Sequence, residues 1–543
     1  MNKLNILQPN YTAFEKTYQL RIPLETEILI PQNDSVRLLS QLVEEMDLTG
    51  LYDTYSRIGK IEVSPRIMTK ILIYAYMQGI YSSRGIESAC RRDINFWYLL
   101  EGHDAPDYST IARFRTLHFE QCAEDIFVQL VQFLKESGEI DCKSIFIDGT
   151  KIEANANRYS FVWKKAVTKY QARLLEKIAG SFDEWTESYG LTTISDGDLS
   201  KENLEKVVAE LKNICDEEHI EFVNGSGKTK SQLQRDIETA EGYLSKMKEY
   251  EEAIDICGQR NSYSKTDHDA TFLHMKEDHM RNGQLKPGYN VNVASSEEFI
   301  VGNYISADRT DVHTLIPFAE YLKRYGVKNI CVDSGYESEE NYCWFEENGV
   351  MKLYVKPSNH EQRKTKKYRT DISRRENMVY DADADTYICA NGKTITFDGI
   401  KKNKSQSGFE METSVYSCKD CAGCPLKEKC IRACGSKKPL AERSKIIYVS
   451  KRFARQRAEM EERINTKEGK LIRVNRSIQA EGVFAMVKED MGFRRFLLRS
   501  AVKVEVEWSL LSLAYNVLKL HHKIQTGRLG TGLVVPKGFP AGL

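Results

Sequence analysis

The sequence has no excess of either charge: Lys+Arg and Asp+Glu both number 78 in 543 residues. That excludes a uniformly basic coat, so any nucleic-acid surface has to be a local patch. No charge-free run reaches 18 residues, which leaves no candidate for a membrane-spanning helix. The opening residues, Met1-Asn2-Lys3-Leu4-Asn5, lack the apolar stretch of a secretory leader, so the expected setting is the cytoplasm. What is present is apolar material, 41% of the chain with 10% aromatic, enough for real cores. At roughly 150 residues per domain, three or four domains are expected. Cysteine is plentiful at 13, but the odd total in a reducing compartment argues against a disulfide framework. Eight cysteines are scattered singly, and five fall between Cys418 and Cys434.

Residues 1–140 read as helical. Asp34 or Ser35 caps a run through Val36, Leu39, Leu42 and Val43, and Ser64-Pro65 opens another. Ser82 or Ser83 starts a third, and Pro106-Asp107-Tyr108-Ser109-Thr110 a fourth. Short helices joined by tight turns suit a helix-turn-helix-like DNA-binding domain, with Arg84, Arg91, Arg92, Arg113 and Arg115 as phosphate contacts. A plain helical bundle with solvated arginines fits the same residues. Residues 141–160 hold a short apolar strand ending on Asp148. Residues 161–265 are long, charged and amphipathic, with candidate helices at 161–190, 198–219 and 229–257, and read as an inserted helical hairpin.

From 266 to 360 the pattern is α/β: strands over Tyr289–Ala294, Phe299–Ile305, Val327–Asp333 and Lys352–Lys356, with a helix expected to be capped at Asp311 and closed at Gly326. Asp308 is read as a cap residue too. Residues 361–445 are irregular, basic and rich in cysteine. Residues 446–525 are helical and basic: 14 Lys+Arg against 7 Asp+Glu between 451 and 503. The tail, 526–543, is Gly-rich and read as loose.

Two strands thus end in an acid followed by a small-residue turn, Asp148-Gly149-Thr150 and Asp333-Ser334-Gly335-Tyr336. Each alone suits a turn cap. Two on neighbouring strands would repel unless a cation sat between them. Glu481 lies on an amphipathic helix, Arg476 to Lys488, whose Ile478, Val483, Phe484 and Val487 are expected to face the sheet. A surface Glu481–Lys488 pair reads the same way. Asp267 and Asp269 are weaker acidic candidates.

These segments together resemble the DDE-type transposases of bacterial insertion sequences. The resemblance rests on Phe146–Tyr159, Ser262–Ala270, Gln284–Asn290, Val332–Asn341, Ser477–Phe484 and Gly492–Phe496, with Pro106–Arg115 near the start. It implies an α/β ribonuclease-H-like catalytic core, with Asp148, Asp333 and Glu481 as catalytic acids and ligands of two Mg²⁺ ions, Mn²⁺ substituting. Asp148 would bridge ions roughly 3.5–4 Å apart, and Lys488 would take a phosphate. Related families carry Tyr and Arg seven and four residues before the Glu; here these are Val474 and Ser477, with Arg473 and Arg476 nearby. Arg494 and Arg495 join them as DNA-binding candidates. The implied partners are double-stranded DNA, as terminal inverted repeats and target, and a second copy of the chain in the end complex. The implied location is the nucleoid. A DNA-binding regulator derived from such an element, a hydrolytic nuclease and a zinc-ribbon interaction protein are the alternatives.

Cys418, Cys421, Cys424 and Cys430 offer four thiolates at close spacing, with Cys434 and Cys389 as spares. This pattern suits a structural zinc ion. Free thiols and an iron–sulfur cluster are the other readings.

Overall fold

Helix starts in the N-terminal part are set by side-chain caps. Asp34 accepts from the Val36 N–H, Ser82 from Gly85, Asp93 from Asn95 and Asp107 from Thr110. The computed structural model describes residues 29–55, 63–192, 198–223, 229–275, 283–405, 407–432 and 438–530. The chain divides into two units, Met1–Phe119 and Glu120–Leu543. The division falls one helix earlier than residue 140. The Glu120–Glu136 helix packs along the final helix, Ala501–Gln525, and so belongs to the second unit.

In the first unit, helices Ser35–Glu45, Ser83–Cys90 and Ile94–Leu100 pack around the Pro65–Met77 helix, which is buried on all sides, and Tyr108–Arg113 packs on Ser83–Cys90. Its Lys70, 1% exposed, is neutralised by Glu44 and by Glu101 at 2.9 Å.

The second unit is built on a mixed sheet. Its strands are β1 (Ser144–Glu153), β4 (Thr271–His274), β5 (Leu285–Ser296), β6 (Phe299–Ser306), β7 (Asn329–Val332) and β8 (Lys352–Val355); β2 (Phe161–Trp163) and β3 (Ser262–Ser264) pair separately. One edge of β5 carries β6 and β4 in series, and the other pairs antiparallel with β1 from Phe146 to Glu153. β1 then pairs parallel with β7, and β7 with β8. Three antiparallel strands followed by two parallel ones fit the ribonuclease-H-like core expected of the resemblance. β1 does not stop at Asp148: Gly149, Thr150 and Lys151 continue the ladder opposite Asn292, Val291 and Asn290.

The charged insertion is three helices, Lys164–Tyr189, Lys201–Glu217 and Gln232–Cys257, rather than a hairpin. Leu174, Ile178, Phe182, Trp185, Leu204, Val207, Leu211 and Ile237 give it a core of its own. The β2–β3 ribbon ties both of its ends to the sheet unit.

The Cys-rich segment is not irregular. It forms a five-stranded antiparallel sheet of β9 (Val379–Asp381), β10 (Thr386–Ile388), β11 (Thr394–Lys404), β12 (Glu410–Ser417) and β13 (Ile446–Val449). Its core is small: Tyr387, Ile395, Tyr416, Cys418, Ile447 and Val449. After it, helices Lys451–Asn465 and Lys467–Ala485 return to the main sheet, the second lying on β1 and β5. Residues 531–543 of the expected loose tail lie outside the described residues, as does Cys434.

Candidate active site

Asp148 lies on β1, and Asp333 is the first residue past the neighbouring strand β7. The β1–β7 register ends at Phe146 opposite Cys331, so each acid comes two residues after the last paired position. Asp333 accepts from the Gly335 N–H at 2.8 Å and thereby shapes the turn that follows β7. Asp148 accepts from the Gly149 N–H at 2.9 Å.

Glu481 reaches the same region from the Lys467–Ala485 helix. That helix buries Leu471, Ile472, Asn475, Gln479, Ala480 and Val483, and leaves Ile478 exposed, contrary to the expected inward face. The polar Asn475 and Gln479 are tolerated inside because each finds a partner. Asn475 donates to the Leu471 carbonyl and Gln479 accepts from the Glu298 N–H. Glu481 itself is exposed. Arg476, one turn earlier, stands 3.8 Å from both Asp148 and Glu481 and links these two acids electrostatically.

A cleft of about 750 Å³ opens beside this group. Asp333 lines it together with Lys356, Lys470, Arg473 and Arg476. Arg473 and Arg476 were expected from the sequence; Lys356 and Lys470 were not, since only the packing of the helix beside β8 brings them to one wall. Carboxylate oxygens are the donors that a hard dication takes, so Asp148, Asp333 and Glu481 fit such an ion in kind. Among the described residues no three acids, histidines or cysteines converge as an assembled metal site. The Arg476 guanidinium places a positive charge between Asp148 and Glu481.

The remaining candidates separate by what they touch. Lys488 sits in the turn after the helix, Met486–Asp490. Arg494 pairs with Glu489 at 2.7 Å, on the surface. Arg495 donates to the Ala154 and Ala156 carbonyls and so braces the end of β1. Arg91, paired with Glu87, and the exposed Arg92 and Arg113 lie on the surface of the first unit. Arg115 is buried and donates to the Tyr76 hydroxyl and the Tyr81 carbonyl, so its guanidinium serves internal packing rather than a phosphate.

The Tyr289 hydroxyl donates its one proton to the Asp267 carboxylate, 2.9 and 3.0 Å from its two oxygens, and Asp267 also accepts from the Ser500 N–H. Asp269 accepts from the Ala501 N–H at 2.8 Å. Both therefore serve the start of the final helix. Asp311 is not a cap: the Leu315–Leu322 helix starts without a side-chain cap, and Asp311 Oδ1 accepts from Asn290 Nδ2 at 2.7 Å. Asp308 lines a separate pocket with Lys151 and His313.

At the small sheet, Cys418 is buried and its N–H donates to the Lys445 carbonyl, while the Lys445 N–H donates to Cys421 Sγ at 3.4 Å. Cys389, in the β10–β11 turn, and Cys421 pack on the same core as Cys418. Burial, then the neighbouring Cys421 and Cys389 thiols, push the Cys418 thiol up to about 11. Cys430 is raised by burial and by Cys389, Cys421 and Cys424. All described cysteines are free thiols.

Comparison with known families accounts for both ends of the chain. Residues 388–521 match a family described as Transposase DDE domain, and residues 24–117 one described as Transposase domain (DUF772). No curated protein matches the chain. A DDE domain implies a ribonuclease-H-like core and a divalent metal ion, and the sheet order above agrees with that core. Two transposase families matched on separate parts of one chain indicate an insertion-sequence transposase of the DDE type.

Proposed function

We propose that this transposase cleaves the DNA ends of its element and joins them to target DNA at the site formed by Asp148, Asp333 and Glu481. The observation that carries the reading is that Asp148 and Asp333 each come two residues after the last paired position of neighbouring β1 and β7, with Arg476 tying Asp148 to Glu481. The three acids would hold Mg²⁺, or Mn²⁺ in its place. The ions, when bound, would activate water or a 3′-hydroxyl and stabilise the leaving oxygen.

The chain's own residues have other tasks. Lys356, Lys470, Arg473 and Arg476 supply the positive wall along which a phosphate backbone is placed beside Asp333. Lys488 supplies a further point charge. Arg91, Arg92 and Arg113 of the first unit grip duplex DNA in the terminal repeats, with a second copy of the chain completing the end complex. Cys418, Cys421, Cys424 and Cys430 hold a structural zinc ion; the support is their close spacing in the sequence, beside a small sheet whose apolar core is slight.

The test is cleavage and joining of labelled DNA carrying the sequences that flank the coding frame. Asp148→Ala, Asp333→Ala and Glu481→Ala are each expected to abolish both steps in Mg²⁺ while end binding persists. Full activity of any one variant removes that residue from the site.

A further inference from the structure

A glycine just past Asp148 on β1 and another in the turn after Asp333 have a feature in common: both face the same third carboxylate. A Cβ on Gly149 would lie 2.9 Å from Asp311 Oδ1 and 3.1 Å from the Tyr336 hydroxyl. A Cβ on Gly335 would lie 3.0 Å from Asp333 Oδ1 and 3.4 Å from Asp311 Oδ2. Neither glycine is at a positive φ, so backbone conformation does not call for it. What calls for it is space. From the loop after β6, the Asp311 carboxylate fills the position that a side chain at Gly149 would take and borders the one at Gly335, where the Asp333 carboxylate comes closer.

Asp311 is held there by one specific partner. Asn290, on β5 and fully buried, donates its amide N–H to Asp311 Oδ1. That fixes the amide's orientation and leaves Asn290 Oδ1 buried beside the carboxylate with no hydrogen-bond partner. An orphaned buried acceptor is costly, on the order of 1–3 kcal/mol, and points to a donor or cation that belongs beside it. Among the described residues, Asp311 and Asp333 form no ion pair with any lysine or arginine. Tyr336, whose hydroxyl donates to Asn292 at 2.5 Å, is surrounded by the same acids. Burial, then Asp311, Asp148 and Asp333, push its pKa well above the ordinary value, so it remains a neutral donor.

We propose that Asp311 is a fourth carboxylate of the active site, aimed by Asn290 and sharing with Asp333 the divalent ion of the reaction. The two oxygens flanking Gly335 are hard donors, and a dication whose hydration shell reaches Asn290 Oδ1 gives that atom its partner. The inference rests on the metal-dependent reading of Asp148, Asp333 and Glu481. It adds an acid that stands outside that triad and explains the glycine at position 149.

The experiment is Mn²⁺ binding to the full-length protein without DNA, followed by electron paramagnetic resonance of the free ion. Asp311→Asn keeps the size of the side chain and removes its charge, and is expected to weaken Mn²⁺ binding by about tenfold or more, as is Asp333→Asn. Asp308→Asn, in the neighbouring pocket, is expected to bind as the unaltered protein does. Melting temperature in chelator reports folding, and Asp311→Ser replaces Asp311→Asn if the latter does not fold. Unchanged Mn²⁺ binding in a folded Asp311 variant, with binding lost in Asp333→Asn, overturns this inference alone. Unchanged binding in both variants, or none in the unaltered protein, overturns the inference together with the metal reading of the site.

Discussion

Arg457 donates two hydrogen bonds of 2.7 Å, from Nε and Nη2, to the two oxygens of Glu337. Glu337 lies just past the Asp333 turn and is almost fully buried, 2% exposed at the side chain. It also accepts from the Ser358 N–H and the Tyr342 hydroxyl. The fork therefore clamps the turn carrying the second acid to the Lys451–Asn465 helix. Arg457→Ala leaves a buried carboxylate without its cation and is expected to cost about 3 kcal/mol, read as a lower urea midpoint.

The same pair sets a pH dependence. Burial disfavours the charged form of Glu337, but the Arg457 and Ser358 bonds outweigh it and hold the carboxyl below its ordinary value. A lowered carboxyl contributes stability that is fully present above its unfolded value near 4.5 and is lost as pH falls through the folded value. Chemical denaturation between pH 6 and pH 3 should show this acid loss in the unaltered protein and a shallower one in Glu337→Gln.

Two glycines give substitutions of opposite sign. A Cβ on Gly469 would lie 2.2 Å from the Arg463 carbonyl and 2.8 Å from Ile464 Cα, where two successive helices meet. Backbone atoms do not yield, so Gly469→Ala is expected to destabilise by about 1–3 kcal/mol. Gly180, inside the Lys164–Tyr189 helix, has nothing within 4 Å of the same position. Gly180→Ala is expected to stabilise the insertion by about 0.5–1 kcal/mol. Melting curves of the two variants should move in opposite directions.

The positive cleft predicts a salt signature. Lys470→Ala and Arg473→Ala should each flatten the plot of log affinity against log salt by about 0.9 for one lost phosphate contact. Arg115→Ala, which removes a buried guanidinium, should lower the stability of the N-terminal unit without that change in slope. Fluorescence anisotropy with labelled terminal DNA at graded potassium chloride separates the cases, and an unaltered slope in Lys470→Ala and Arg473→Ala would take both from the DNA path.

For the cysteines the expected result is near-stoichiometric zinc in protein purified without chelator. Iron with a brown chromophore would replace zinc by a cluster, and neither metal would leave the thiols free. Metal loss, or Cys418→Ser, should unfold the small sheet first, because its few buried apolar residues give it little stability of their own.

The sequence carried the helix starts well, because a cap is a local device: Asp34, Ser82 and Asp107 each bond to a backbone N–H two or three residues on. It located the turn after β7, which Asp333 shapes by accepting from the Gly335 N–H. It misplaced the end of β1, since Gly149-Thr150-Lys151 has turn composition and is held extended only by β5. It missed the second sheet because β11 is exposed along most of its length and shows no alternation of apolar residues. Asp311 escaped for another reason. Its position before a helix suits a cap, and its actual neighbours, Gly149, Asn290 and Gly335, meet it only through the folded sheet.

The order of strands has a consequence for synthesis on the ribosome. β1 is the middle strand, yet both of its neighbours, β5 and β7, follow the entire three-helix insertion in the chain. A nascent chain therefore carries β1 with both edges open while more than a hundred later residues are still being added. Open strand edges invite pairing with other chains. The insertion has its own core, so it can fold during that interval and shield the waiting strand, with the β2–β3 ribbon already closing its base. Glu481 arrives later still, after the second sheet, so the three acids come together only once nearly the whole polypeptide has left the ribosome.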